Sequence, residues 1–337
     1  MRVAFTDDQL AFADAVRALL AKECTPGHLA AAAGSSDGRV PGLWAQLVEM
    51  GVVGALAPEG VGGTGLDEVA LVRLCFEAGY AALPEPLSDI AMVVVPALRD
   101  HAVTPDAEAW LERICSGDAT VGLGLSANAG LVDHADRASV FLLEAVDGLH
   151  LVDPDVVTLE PVVSVDPVAR PARIGWTPSS ATLVVGSAVG ATEARSRAAL
   201  ASAAELCGLS RRMIDMTVSY VSERRQFGVP IGSFQAIKHH LANALAAVAF
   251  AEPLVWRAAV SIAAGDPDAV VHVAMAKAQA SDAAERVSDL TLQCHGAIAY
   301  TVEYDLQYFM KRAWVLVRRD GSARMHRSTV QEFLLGS

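Results

Sequence analysis

Arg224 and Arg225 stand side by side in the run Glu223-Arg224-Arg225-Gln226-Phe227-Gly228-Val229-Pro230-Ile231-Gly232-Ser233-Phe234-Gln235, with the side-chain amides of Gln226 and Gln235 close by. Guanidinium forks and amides donate to oxyanions, and the start of a helix adds unpaired backbone N–H groups, so the run suits an anionic phosphate. The plainer reading is that the basic pair offsets the macrodipole at a helix C-terminus. Both readings need a helix before the run and another after it. Leu206, Leu209, Met213, Met216 and Tyr220 recur three and four apart as one apolar stripe, while Arg211, Arg212, Asp215 and Ser222 lie off it. Gly228 supplies a left-handed stop, Pro230 cannot extend a helix, and Ser233 stands where an N-cap belongs before a second apolar run. Two bundle helices meeting at a tight corner are expected.

The corner resembles that of the acyl-CoA dehydrogenase family, flavoproteins in which two all-helical domains flank a small β domain. The resemblance implies that Arg224 contacts the diphosphate of an FAD bound by the neighbouring subunit and that Gln235 faces the same cofactor. By the same carry-over Gln226 and Phe227 line its adenosine side, with Ile231 and Phe234 close by. A second block, Gln293-Cys294-His295-Gly296-Ala297, resembles the family's Gln-x-x-Gly-Gly loop with Ala297 in place of the second glycine. Gln293 and Gly296 are its implied cofactor contacts. A glycine ending a helix accounts for Gly296 but not for the ordered block that follows it.

Counting on from Gln293, the family's catalytic carboxylate, usually a Glu before Gly-Thr, falls on Asp320-Gly321-Ser322. The resemblance makes Asp320 the base that removes the proton α to an acyl thioester carbonyl while a hydride leaves the β carbon for the flavin. Asp is shorter than Glu by one methylene, on the order of 1.5 Å, and a misplacement of about 1 Å can cost roughly 100-fold in rate. Asp320 is thus a weakened base, a full base for a differently seated substrate, or a residue of an Asp-Gly turn. Relatives that carry the Glu on the earlier helix offer no rescue, because Ala198 and Ala199 occupy that region and Glu205 is the nearest carboxylate.

The expected fold is mainly α with a small β domain: an N-terminal helical domain over 1–118, a reduced middle β-barrel or sheet domain over 119–190, and a C-terminal four-helix bundle over 191–337. Thr6 and Gln9 form a capping-box pattern, and further helices are expected near 43–50, 67–78 and 89–98. Strand patterns over 141–146 and 149–152 flank Asp147-Gly148, a two-residue hairpin signal, and 182–185 reads as another strand. The bundle helices are expected over 192–224 and 233–264, then from an Asp266 cap with Pro267 first, and last after Tyr304. The Gly-x-Gly-x-x-Gly at 60–65 lies between helices rather than after a strand, so it reads as a structural loop and not a dinucleotide fingerprint. The β domain is markedly shorter than relatives carry. It has no counterpart of their Thr-Glu-Pro-x-x-Gly-Ser-Asp or Lys-x-x-Ile-Thr-Asn strands, which touch the flavin ring and substrate.

The 337 residues are 53% hydrophobic and carry a net charge of −13, which argues against nucleic acid as a partner. Anionic FAD or CoA must then be met by local cations, for which Arg224, Arg225, Lys238, Arg318, Arg319 and Arg324 are candidates. Five cysteines without metal spacing read as reduced and buried. No apolar run long enough for a membrane span and no leader pattern are apparent, so a cytoplasmic location is expected. Trp256 and Trp314 read as core. His239, His240, His295 and His326 show no ligand pairing, so no metal site is expected. Three functions fit. The first is an FAD-dependent acyl-CoA dehydrogenase, a dimer or tetramer passing electrons to an electron-transfer flavoprotein. The second is a subunit of a heteromeric dehydrogenase, as in steroid-degrading branches where shortened chains pair with complete ones. The third is a flavin oxidase of the same fold, such as a nitroalkane oxidase, where Asp is the base.

Overall fold

A computed structural model of the chain describes residues 5–104 and 106–336. Six α-helices open it: α1 Asp7–Glu23, α2 Pro26–Gly34, α3 Leu43–Glu49, α4 Glu68–Ala81, α5 Val95–His101 and α6 Ala107–Cys115. The Thr6 hydroxyl accepts from the Gln9 amide while the Gln9 side chain accepts from Thr6 N–H, so α1 starts on the expected capping box. The helix expected over 89–98 is a π-turn, Asp89–Val94, running into α5, all of it buried except Asp89. The glycine-rich loop contains only a single 3-10 turn, and a Cβ on Gly63 would stand 2.1 Å from the Ala57 carbonyl oxygen. That close approach is a structural reason for the glycine.

The middle of the chain forms two small sheets. Strands β1 Val121–Gly124, β3 Val140–Ala145, β4 Gly148–Val152 and β7 Leu183–Val185 make one in the order β1-β3-β4-β7. Strands β2 Leu131–Val132, β6 Ala172–Gly175 and β5 Thr158–Pro161 make the other. A compact apolar cluster that includes Phe141, Leu143, Val132 and Ile174 packs within the domain. The hairpin exists, but its loop is Val146-Asp147, one residue earlier than expected, and Gly148 pairs with Ala145 inside the ladder. The reason is local. Gly148 has φ +142° and lies against the Val185 carbonyl, where a Cβ would stand 1.9 Å away.

The C-terminal part begins with α7 Ala188–Glu223, 36 residues long, followed by a two-residue hairpin of β8 Arg225–Gln226 and β9 Val229–Pro230. Then come α8 Gln235–Ala263, α9 Ala269–His295, α10 Leu306–Leu316 and α11 Ala323–Leu335. Helices α7 to α10 pack together and α11 lies on α9. Two helices, not one, follow Tyr304, and the Asp320-Gly321 pair is the turn between them. Helix α9 starts two residues later than expected, because the Asp266 carboxylate closes a turn by accepting from Asp268 N–H. All five cysteines are free and buried, and burial pushes the Cys75 thiol up to about 12. Trp256 packs edge-on against Phe5 in the core, whereas Trp314 is 41% exposed and lines a groove, against expectation. By length and composition alone helix α8 could cross a membrane, but Lys238, Asn243, Glu252, Pro253 and Arg257 interrupt it, so it is not an uninterrupted apolar run of span length.

Candidate functional site

The corner between α7 and α8 takes its shape from the hairpin. Gly228, with φ +83°, is the tip of that hairpin together with Phe227, φ +53°, rather than the stop of α7, which ends at Glu223. Ile231 N–H closes the corner on the Arg224 carbonyl at 2.8 Å. Ser233 is not the cap of α8. Its hydroxyl donates to the Pro230 carbonyl at 2.7 Å, and Phe234 stands at the N-cap with no side-chain bond, leaving the first-turn N–H groups of a 29-residue helix open. Arg224, Gln226 and Gln235 are exposed, and their side chains have no hydrogen-bond partner among the described residues. Arg225 reaches back to the Gly228 carbonyl. Phe227, 93% exposed, meets Phe234 edge to face at 6.2 Å, and Ile231 is half-buried beside them.

The second block lies at the same end of the bundle. His295 stacks on Tyr220 at 4.4 Å, and the Tyr220 hydroxyl donates to the His295 carbonyl, one turn before Arg224. Gln293, exposed, is thereby held near the corner, and Gly296 turns the chain with φ +66°, ψ −143°, a conformation favoured only for glycine. The donors gathered here, one free guanidinium, free side-chain amides and open helix N–H groups, match the chemistry of a diphosphate-bearing dinucleotide such as FAD.

Asp320 is somewhere else. It has φ +56°, is 5% exposed, and lies where α7, the β1–β2 loop and the α10–α11 turn meet. The Asn128 side chain holds it twice: Asn128 Nδ2 donates to Asp320 Oδ1 at 2.9 Å, and Asp320 N–H donates to Asn128 Oδ1 at 2.7 Å. The Ser202 hydroxyl donates to Asp320 Oδ2, and His326 Nε2 donates to the Asp320 carbonyl at 2.9 Å. Behind it Lys277, fully buried, donates to the Leu316 and Gly321 carbonyls, and burial lowers its ammonium to about 8. Ser202 and Arg224 lie on the same helix twenty-two residues apart, about 33 Å at 1.5 Å per residue. The predicted cofactor contacts come together; the predicted base stands far from them.

Beside Asp320 the three parts of the chain are joined by buried charges. Arg319 donates to Asp133 at 2.7 Å and to Asp89, and Arg312 donates to Asp166 and to the Leu83 carbonyl at 2.8 Å. Arg319 was a candidate for meeting an anionic cofactor; the structure spends it inside the protein instead. Glu205 faces the same junction and burial raises its carboxyl, while Arg312 Nη2 is buried without a hydrogen-bond partner among the described residues. Neither Asn128 nor the ion pairs were visible from sequence, because each pairs residues more than a hundred positions apart.

Family descriptions match both helical ends: acyl-CoA dehydrogenase, N-terminal domain, over residues 6–118 and acyl-CoA dehydrogenase, C-terminal domain, over residues 191–335. The acyl-CoA dehydrogenase IpdE2 of Mycolicibacterium smegmatis is 34% identical over 301 residues, 89% of this chain and 90% of that protein. A chain of the ChsE4-ChsE5 complex from Mycobacterium tuberculosis superposes with a TM-score of 0.90 at 22% identity over 100% of this chain and 100% of that one. A Tcur3481-Tcur3483 steroid ACAD variant superposes with a TM-score of 0.89 at 23% identity over 98% of each. With both of its helical ends matched and a relative aligned over nearly its whole length, the chain belongs to the acyl-CoA dehydrogenase family of oxidoreductases.

Proposed function

We propose that this chain is one half of a two-chain acyl-CoA dehydrogenase, lending Arg224, Gln226, Phe227, Ile231, Phe234, Gln235, Gln293 and Gly296 to an FAD seated chiefly on an adjoining polypeptide. The observation that carries the reading is the commitment of the Asp320 carboxylate to Asn128 and Ser202 within its own chain. The separation of about 33 Å along α7 between the corner and Ser202 adds that the corner and Asp320 of one chain serve different cofactors, so the cofactor at the corner is seated on an adjoining polypeptide, identical or not. The short β domain and an Asp320 whose carboxylate is already committed to Asn128 and Ser202 support the reading that the partner supplies the working base. When bound, FAD supplies the acceptor for the hydride leaving the acyl chain. This chain's contribution is to neutralise and orient the diphosphate through Arg224 and the open start of α8, and to exclude water around it through Phe227 and Phe234.

The surface supports association. Leu245 and Phe250 on α8, and Phe333, Leu334 and Leu335 on α11, are exposed apolar side chains, Phe250 at 73%. Exposed apolar side chains of this kind are ones an interface would cover. Two of the fold's solved relatives are named as pairs of chains, which points the same way. The reading extends to an acyl-CoA thioester as substrate, an electron-transfer flavoprotein as electron acceptor, and a cytoplasmic location.

Purification of the chain alone and after coexpression with a second acyl-CoA dehydrogenase chain of the same source tests the reading by visible spectrum. A colourless chain that turns into a yellow heteromer bleached by acyl-CoA is expected. A yellow chain that acyl-CoA bleaches without any partner would sink the proposal in favour of a homomeric dehydrogenase. Oxygen consumption without an added acceptor would instead indicate a flavin oxidase.

A further inference from the structure

Asn128 lies on the loop after β1, in the 3-10 turn Ser126–Asn128, and it touches two things at once. On one side it lines a groove of about 440 Å³ between the β domain and α10, whose walls include Ala127, Val163, Trp314 and Val315, with Arg318 at its edge beside the Arg319–Asp133 ion pair. On the other side its carboxamide is laid flat on Asp320, carbonyl to main-chain N–H and N–H to carboxylate. The pairing fixes its own orientation, since an N–H must meet the carbonyl and a carboxylate must meet the amide nitrogen.

A carbonyl compound about to lose an α proton needs the same two groups: a donor for the oxygen that gains charge and a carboxylate for the proton. The amide therefore occupies the place such a compound would take. We propose that Asn128 is a built-in cap that stands in for an acyl thioester on Asp320 and closes it off from the groove. Withdrawing or truncating the cap joins the groove to a competent base, with the exposed Arg318 available to the anionic CoA end. In the uncapped chain the α C–H bond breaks, the proton passes to Asp320 Oδ1, and the electron pair moves onto the thioester oxygen, where the Asp320 N–H donates to it. Return of a solvent proton restores the thioester, so no oxidant is needed.

This deepens the partner-subunit reading, in which Asp320 is closed, but its readout is independent of colour and turnover. The test is exchange of the α hydrogens of phenylacetyl-CoA in D2O, followed by mass spectrometry, with the chain in the assembly in which it purifies. Asn128→Ala is expected to exchange on the order of 100-fold faster than the wild type, the usual size of a general-base effect. Asn128→Ala/Asp320→Asn, which also controls for any base on a partner, is expected to fall back to the wild-type rate. Equal rates in Asn128→Ala and the double variant would overturn the proposal, as would a wild type already as fast as Asn128→Ala. If the alanine variant melts before it can be assayed, Asn128→Ser keeps a short polar side chain and is held to the same comparisons.

Discussion

The Arg224 guanidinium contributes nothing visible to the fold of its own chain: it is exposed, and no described residue receives its hydrogens. Removing it should therefore leave stability within about 0.5 kcal/mol, the range of ordinary surface substitutions. A charge-assisted bond to a diphosphate is worth about 1.5–3 kcal/mol. Arg224→Ala in the two-chain assembly should thus weaken FAD retention by roughly 10- to 100-fold, by ultrafiltration and absorbance, at an unchanged melting temperature. Retention equal to wild type would remove Arg224 from the site. Asp320→Asn should leave turnover of the same assembly within about twofold, because the base is assigned to the partner; a loss of roughly 100-fold would return the role to Asp320. The types and order of residues made the corner legible in sequence. Asn128 and Ser202 were not, since a neutral polar side chain gains its meaning only from what it faces, and Asn128 faces a residue 192 positions away.

Helices α4 and α7 cross at a pair of glycines that no periodicity argument singles out. A Cβ on Gly208 would stand 2.0 Å from the Phe76 carbonyl, and one on Gly79 would stand 2.2 Å from the Glu205 carbonyl. The obstruction in both cases is backbone, which cannot rotate away, so the helices would have to part. Gly208→Ala should cost about 3 kcal/mol or more, at the upper end of overpacking, despite alanine's better helix propensity. Equilibrium urea unfolding checks it, and a stabilised variant would show that the crossing has room to give. Apolar runs revealed that α7 and α8 exist, and a cap and proline pattern announced α9, yet their ends were less legible. Ser233 has the right residue type for a cap, but the Pro230 carbonyl takes its hydroxyl; Asp266 caps a turn instead of the helix. Local competition among polar groups decides such boundaries.

At the level of the whole molecule, the N-terminal helices, the β domain and the C-terminal bundle are tied by carboxylates and guanidiniums that are largely shielded from water. Asp133 is the clearest case: burial, with Asp89 and Asp166 nearby, outweighs the attraction of Arg319 and Arg312 and pushes its carboxyl up to about 6. Burial raises Asp89 and Glu205 in the same junction. The folded state then holds a proton at Asp133 that the unfolded chain, titrating near 3.9, releases earlier. Stability from this group is present at low pH and is lost as pH rises through about 6. His134 faces the same junction and is held neutral by burial, as are His295 and His326 elsewhere; these groups favour the fold as pH rises through the same window, so the raw profile mixes both signs. The difference between Asp133→Asn and wild type isolates the carboxyl. Asparagine matches the protonated carboxyl in shape and charge and keeps an acceptor for Arg319, so the variant should be close to wild type at low pH and should gain about 2 kcal/mol relative to it between about pH 4.5 and 7.5. Urea unfolding at the two pH values measures it. A difference that stays constant would mean that Asp133 is ionised throughout, with Arg319 alone deciding its charge.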